Sequence, residues 1–315
     1  MSKSIFQIWF LHFRKGFSSY SWVKLPGIPF RTLFPLAFSL FTFFLLPSCY
    51  EKKETCLDIR ATNFDLEGDI ACLDCCEYPL LKIKFLHRNV TPEANYLIGY
   101  SDSTYVDGVG QPFRIKSLKY YISNIRMVAT DGTEARVNET IDIQTPSGKQ
   151  AFTDDFLLIN GTFSSFLTAG TFSTIKTYDK VRFSLGLDSA LEGVDPSTLP
   201  DNHVLAVNQD SSMFDFQNGY YLLGNLEIYK DTTAIDTVPR LLKIGMFNGP
   251  KEVELAFPES LLLPEGFDIQ VTLLIDAPSW FSNADVRLQP DEQLIPNIVS
   301  KMSESFIVLE VTVNN

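Results

Sequence analysis

The amino-acid sequence predicts an all-β protein, in which a short cysteine-rich segment precedes a single antiparallel β-sandwich domain. Three observations predict this fold class. Short runs alternate apolar and polar residues, turn dipeptides separate those runs, and helical periodicity in the mature chain is confined to residues 290–305. A sandwich of up to about 250 residues fits one domain. We expect the sandwich to span residues 80–315 and the cysteine-rich segment residues 49–79.

The first 48 residues are typical of an export signal. They carry five basic residues and no acidic residue, and an apolar run of about 15 residues ends at Cys49. A bilayer-spanning helix needs about 20 residues, so this run is short for one. A permanent membrane helix is the alternative interpretation. The residues "LPSC" resemble the bacterial lipobox, whose cysteine becomes the lipid-bearing first residue of the mature protein. We therefore expect a signal peptide over residues 1–48 and a lipid anchor at Cys49, in the bacterial cell envelope and at its outer membrane.

The four cysteines downstream of Cys49 are Cys56, Cys72, Cys75 and Cys76. An even number of cysteines in an exported chain predicts two disulfides, and three connectivities are open. The spacing Cys72-x-x-Cys75 also fits half of a zinc site, although neither a second such pair nor a histidine lies nearby.

The stretch "NFDLEGD", residues 63–69, has the oxygen pattern of a calcium loop. Oxygen ligands alternate, and Gly68 sits where such a loop needs its glycine, but the closing position holds Asp74 in place of a bidentate glutamate. An acidic solvated turn is the favoured interpretation. A calcium-stabilised surface adhesion or scaffold protein is the alternative.

Alternating runs predict the strands of the body. In chain order they are 80–87, 96–100, 112–132, 140–144, 155–161, 180–187, 219–229, 241–247, 253–257, 267–276 and 305–313. Asp131-Gly132 predicts a hairpin turn. Residues 189–213, polar and interrupted by prolines, predict a long loop. Pro296 is expected to divide the helix predicted at residues 290–305.

The net charge and the motifs of the sequence limit the classes of partner and activity that we expect. The leader holds five of the 26 basic residues, so the mature chain has 21 basic against 38 acidic residues, a net charge of −17. Such acidity argues against nucleic acid and anionic lipid, and suits a cation or a basic protein such as a c-type cytochrome. No hydrolase, nucleotide-binding or metalloprotease motif is present in the sequence. We expect a protein that is not an enzyme, and an enzyme with an unidentified site is the alternative.

Three residues are candidate soft-metal ligands: His87, His203 and Met213. Imidazole and thioether groups suit copper(I). A histidine at the end of a strand or in a loop is more often a solvated surface residue, and a loop methionine more often packs.

Several motifs resemble the MbnP-like copper-associated family of exported proteins. They are "SLKYYISNIRMVATDG" at 117–132, preceded by "FLHRNV" and "YSDSTYVDGVGQPFRI", then "FSLGL" at 183–187 and "MFDFQNGYYLLGNLEIY" at 213–229. The resemblance implies an exported β-sandwich. In some members it also implies copper bound by histidines and an oxidised tryptophan, and a dihaem cytochrome peroxidase partner that oxidises it.

This chain departs from the family pattern at the implied copper site. Phe214 and Phe216 stand where the resemblance implies tryptophans, and Lys243 stands where it implies a histidine; His87 is the histidine in a family-like position. A phenyl ring offers no ligand atom, and an ammonium group repels a metal cation. We therefore expect a binding or accessory protein whose copper site is degraded. The alternative is a functional copper-binding protein with a dihaem cytochrome peroxidase partner, and it requires His87, His203 and Met213 to converge.

Overall fold

The computed structural model describes residues 50–92, 95–230, 238–245 and 249–314. Residues from Lys53 onward form one compact unit. Within the described ranges, no helix has the length and apolar character needed to cross a bilayer. The predicted signal peptide and Cys49 lie outside these ranges, and the boundaries at residues 48 and 79 stay predictions.

The described residues form eighteen strands, one α-helix and four 3₁₀ turns. In chain order the strands are β1 Glu54–Thr55, β2 Ile70–Ala71, β3 Leu80–Val90, β4 Asn95–Leu97, β5 Tyr105–Val106, β6 Pro112–Ala129, β7 Glu134–Ala135, β8 Thr140–Thr145, β9 Gly148–Thr153, β10 Leu157–Asn160, β11 Phe166–Thr171, β12 Thr177–Leu185, β13 Phe214–Asp215, β14 Tyr220–Tyr229, β15 Arg240–Gly245, β16 Lys251–Leu262, β17 Asp268–Asp276 and β18 Phe306–Asn314. The helix is α1, Asp291–Glu304, and the 3₁₀ turns are Ser189–Leu191, Pro196–Thr198, Ser211–Met213 and Pro278–Phe281.

Two sheets share one apolar core, which confirms the predicted β-sandwich. The nine-stranded sheet runs β13-β14-β6-β12-β16, with β5, β7 and β10 also paired to β6 and β15 paired to β14. The five-stranded sheet runs β11-β3-β17-β18, with β4 paired to β3. Inward side chains of both sheets form a single buried cluster, which includes Ile83 of β3 and Ile122 of β6.

One pair in the sandwich is parallel, a departure from the predicted antiparallel arrangement. β17 pairs with β3 in parallel, with Val271 opposite Ile83. Antiparallel neighbours follow when a short turn joins two strands, whereas β3 and β17 are far apart in the chain. The chain therefore reaches β17 by a long crossover, and no hairpin fixes its direction.

β6 is the central strand of the larger sheet, and two bulges change the direction of its side chains. The extra residues are Lys116, opposite β14, and Asn124, opposite β12. Each bulge shifts the alternation by one residue. The buried inward side chains are accordingly Phe113 and Ile115, then Leu118, Tyr120 and Ile122, then Ile125, Met127 and Ala129.

Asp155 holds the second bulge. Asn124 has φ 54°, in the left-handed region. The backbone N–H groups of Asn124 and Ile125 donate to the two carboxylate oxygens of Asp155, at 2.8 and 2.6 Å. Burial raises the pKa of Asp155 to about 6, against the opposing effect of those two hydrogen bonds.

Helix α1 is continuous across Pro296, so the prediction of a divided helix was wrong. Proline lacks the N–H that would bond the carbonyl of Glu292, one turn earlier. The stripe Leu294, Ile298 and Met302, spaced four residues apart, is fully buried against the core. This burial holds the helix together despite the missing hydrogen bond.

Strands β9 and β11 were not predicted, because their residues are mostly polar or small. β9 pairs with β8 as a hairpin, and β11 forms an edge of the smaller sheet beside β3. The hairpin predicted at Asp131-Gly132 is present, since Val128 of β6 pairs with Glu134 of β7.

The cysteine-rich segment contains two disulfides, Cys56–Cys76 and Cys72–Cys75. This confirms that the cysteines pair and selects one of the three connectivities. The zinc interpretation was wrong, because both sulfurs of the Cys72-x-x-Cys75 motif belong to a disulfide.

The predicted long loop at residues 189–213 is packed rather than extended. Its apolar side chains form a second buried cluster with outward residues of the larger sheet, including Tyr121 and Tyr221. The Lys119 ammonium reaches Asp210 at 2.6 Å, and the Tyr221 hydroxyl donates to the carbonyl of Leu205 at 2.8 Å. The loop thus covers the outer face of β6 and β14.

Candidate functional site

His87 lies inside the sandwich. It is 4% exposed, and its Nε2 shares a hydrogen bond of 2.9 Å with the hydroxyl of Tyr120 on β6. The interpretation of His87 as a solvated residue at a strand end was wrong. β3 continues three residues further to Val90, and His87 keeps the inward parity of Leu81, Ile83 and Phe85.

Aromatic rings enclose the imidazole. The ring of Trp280 packs edge-on at 6.5 Å from that of His87 and at 5.7 Å from that of Tyr120. The indole N–H donates to the Ser305 hydroxyl at 2.7 Å, and that hydroxyl donates to the carbonyl of Met302. We call His87, Tyr120 and Trp280 the His87 centre.

The His87 centre is electrically neutral at neutral pH. Burial lowers the pKa of His87 to about 4 and raises that of Tyr120 well above its usual value. Nδ1 of His87 has no hydrogen-bond partner within the described part of the chain. The arrangement offers one unused nitrogen lone pair or N–H group in an apolar interior.

His203 is also buried, so its interpretation as a solvated loop residue was wrong. Its Nδ1 accepts the backbone N–H of Leu205 at 3.2 Å. Nδ1 therefore carries no proton, and Nε2 donates to the carboxylate of Asp154 at 3.0 Å. Both ring nitrogens are engaged in holding the loop at residues 189–213.

Met213 is fully buried in the second cluster, together with Tyr121. Tyr120 and Tyr121 are consecutive on β6 and face opposite sides of the sheet, so His87 and Met213 lie on opposite sides of it. The structure does not bring His87, His203 and Met213 together. Over the described ranges, no group of three or more His, Cys, Asp or Glu side chains could hold a metal ion.

The three substituted family positions lie near β14. Phe214 belongs to β13 and Lys243 to β15, both of which pair with β14, and Phe216 directly follows β13. The ring of Phe214 packs at 5.0 Å from that of Phe216 and at 5.1 Å from that of Tyr221. Lys243 lies opposite Asn225, and its side chain is exposed. No copper-binding side chain occupies these three positions.

The oxygens of "NFDLEGD" bind groups of the protein itself. Asp65 forms an ion pair of 2.5 Å with Lys53, and Asp69 accepts the backbone N–H of Lys53 at 2.9 Å. The side chain of Asn63 bonds the carbonyl of Cys75 and the N–H of Glu77. These bonds fold the cysteine-rich segment, in agreement with a turn rather than a calcium loop.

Tyr120 and Trp280 were not predicted as partners of His87. Tyr120 falls within the motif "KYYISNIR" and shares the inward parity of Leu118 and Ile122, which could have indicated its burial. Nothing in the sequence indicated Trp280, because it follows β17 at a 3₁₀ turn almost two hundred residues from His87.

Comparison with known proteins gives one family. The family model MbnP matches residues 81–300. A solved structure, MbnP from Methylosinus trichosporium, is similar with 11% identity and a TM-score of 0.41, covering 75% of this chain and 98% of that one. No curated protein matches this sequence. The family match spans well over half of the sequence, and the chain therefore belongs to the MbnP family.

Proposed function

We propose that this chain is a lipid-anchored extracytoplasmic binding and accessory protein that has lost the copper site of its family. Membership of the MbnP family makes it, at the level of the family, a copper-associated extracytoplasmic protein. The loss is argued from the positions at which the family resemblance implies ligands.

The observation that carries the proposal is the separation of His87 from the other two candidate ligands, His203 and Met213. Copper sites in proteins combine several nitrogen and sulfur ligands. His87 has Tyr120 and Trp280 beside it, and the indole nitrogen of Trp280 already donates to Ser305. Phe214 and Phe216 supply no ligand atom, and Lys243 supplies a positive charge.

The membrane attachment proposed here rests on Cys49 alone. A cysteine carrying two or more acyl chains holds a protein stably on a membrane. The net charge of −17 over the mature chain repels anionic lipid surfaces, so the protein surface adds no attraction. Replacing Cys49 by serine should move the protein from the envelope membrane fraction to the soluble fraction, and retention in the membrane would contradict the anchor.

A copper(I) competition titration of the mature protein against a chelator tests the loss of the site. We expect no tight one-to-one binding. His87→Gln and His203→Gln serve as matched variants. Tight binding in the wild type that disappears in only one of them would contradict the proposal and identify the ligand.

One observation favours a second candidate, a functional copper-binding protein partnered with a dihaem cytochrome peroxidase. Nδ1 of His87 is buried with no hydrogen-bond partner among the described residues, and a tryptophan lies beside the ring. The ligand set His87, His203 and Met213 is excluded, because His203 and Met213 lie on the other side of the larger sheet. This candidate therefore requires other ligands around His87, and the same titration distinguishes it from the first.

A further inference from the structure

A groove of about 950 Å³ lies between the β-strands and helix α1. Its volume falls within the range of about 300–1,000 Å³ that is usual for small-molecule sites. The groove is bordered by the starts of β14 and β16, the end of β15, and the first half of α1. It is separate from the His87 centre, none of whose residues line it.

Two lysines on the strand side of the groove stand out from the other cations. Lys243 of β15 and Lys251 of β16 are exposed, and neither forms an ion pair with a described residue. Most other basic side chains of the sandwich are paired with carboxylates, for example Lys116 with Glu227 and Lys180 with Glu254. In a chain of strong negative charge, two unpaired ammonium groups in one groove form a local site for an anion.

The helix side supplies an apolar wall. Ile295 and Val299 of α1 are half-buried and line the groove with Leu223 of β14. These side chains favour a ligand with an apolar body, since they offer hydrocarbon surface beside the charged strands. Tyr220 adds an aromatic ring.

Two carboxylates also border the groove, and one of them is neutralised. Asp291 forms an ion pair of 2.5 Å with Arg240. Glu292 is exposed in the first turn of α1 and has no ion-pair partner in the described ranges. Two lysines and one carboxylate without an ion pair among the described residues therefore line the groove. The charge of Lys243 also acts on Asp215 of β13, whose pKa it helps to lower.

We propose that this groove binds a free amphipathic organic anion, a carboxylate or similar head group attached to an apolar chain. Lys243 and Lys251 hold the head group, and Leu223, Ile295 and Val299 contact the chain. The proposal goes beyond the accessory function above, and it does not depend on whether the chain binds copper.

Isothermal titration of the mature protein with octanoate tests the proposal. We expect saturable one-to-one binding that weakens as ionic strength rises, and weaker binding of octanol, which has the same chain and a neutral head. Lys243→Gln and Lys251→Gln should each raise the dissociation constant by about tenfold. Glu292→Gln should lower it, because it removes a groove carboxylate that has no ion pair among the described residues.

Lys149→Gln is the control, because it removes an exposed lysine, which pairs with Asp142, from the β8–β9 hairpin. It should leave octanoate binding unchanged, which would distinguish an effect of the groove lysines from an effect of the protein's net charge. Absence of saturable binding, or equal effects of the groove and control variants, would overturn the proposal. It would also be overturned if vesicles of phosphatidylglycerol, but not octanoate, bound in a manner that depends on Lys243 and Lys251.

Discussion

Burial gives His87 and Asp155 pKa values that act on stability in opposite directions. The folded state keeps His87 neutral down to about pH 4, whereas the unfolded chain takes up its proton near pH 6.5. The contribution of His87 to the free energy of unfolding is therefore full above pH 6.5 and is lost as the pH falls to about 4. The loss amounts to about 3 kcal/mol.

The carboxyl of Asp155 behaves in the reverse way. Its pKa is about 6 in the folded state and 3.8 in the unfolded chain, so the folded state takes up the proton first. The free energy of unfolding gains a contribution as the pH falls from about 6 to 3.8. This gain is also about 3 kcal/mol. The pH-dependent contributions of His87 and Asp155 to the free energy of unfolding therefore largely cancel in the wild type.

Single variants should reveal these hidden contributions. As the pH falls from 7 to 4.5, the free energy of unfolding of His87→Gln should rise relative to that of the wild type. Over the same range, the free energy of unfolding of Asp155→Asn should fall more steeply than that of the wild type. Urea unfolding at several pH values measures both. Profiles that run parallel to the wild type would show that neither residue titrates as its burial implies.

The hydroxyl of Tyr120 offsets part of the cost of burying the His87 imidazole, because it forms a hydrogen bond with Nε2. Tyr120→Phe removes the hydrogen bond to Nε2 and leaves the ring of His87 without a partner among the described residues. We expect a loss of about 1–3 kcal/mol in the free energy of unfolding. Tyr121→Phe is the matched control on the other face of β6, and an equal loss there would contradict a specific role for the His87 centre.

At the scale of elements, the bulge at Asn124 decides which side of β6 faces the core. Valine cannot adopt the left-handed conformation of Asn124 without strain, while glycine can. Asn124→Val should lower the free energy of unfolding by about 2 kcal/mol, and Asn124→Gly by less. Equal losses in denaturant unfolding would show that the backbone conformation is not the constraint.

The disulfide Cys56–Cys76 should stabilise the cysteine-rich segment rather than the sandwich. It closes a loop with a sequence separation of 20, whereas Cys72–Cys75 spans only 3. Replacing Cys56 and Cys76 by alanine should expose residues 50–79 to limited proteolysis, at a cost of about 3 kcal/mol to that segment.

Replacing Cys72 and Cys75 is the matched control and should have a smaller effect, because the loop is shorter. Loss of the entire sandwich in the first variant would contradict the assignment of a local role.

At the scale of the whole molecule, the sequence predicted strands wherever one face is apolar and the other polar. β3 and β6 are examples, since their alternation follows from burial of one face. It did not predict β9 or β11, whose place in a sheet depends on neighbouring strands rather than on their own residues. The continuity of α1 across Pro296 likewise depends on tertiary burial.

The candidate sites were less predictable than the fold, because they are assembled by distant contacts. His87 is buried by pairing with β17 and by Trp280, both near the other end of the chain. Lys243 and Lys251 line one groove only because β15, β16 and α1 meet there. No local pattern of the sequence contains these neighbours.

We propose that an MbnP-family sandwich persists in this chain without the copper site. Elemental analysis of the mature protein, isolated from the envelope of cells grown with ample copper, is the decisive measurement. We expect far less than one copper atom per chain after removal of loosely bound metal. One firmly held copper atom per chain would contradict it.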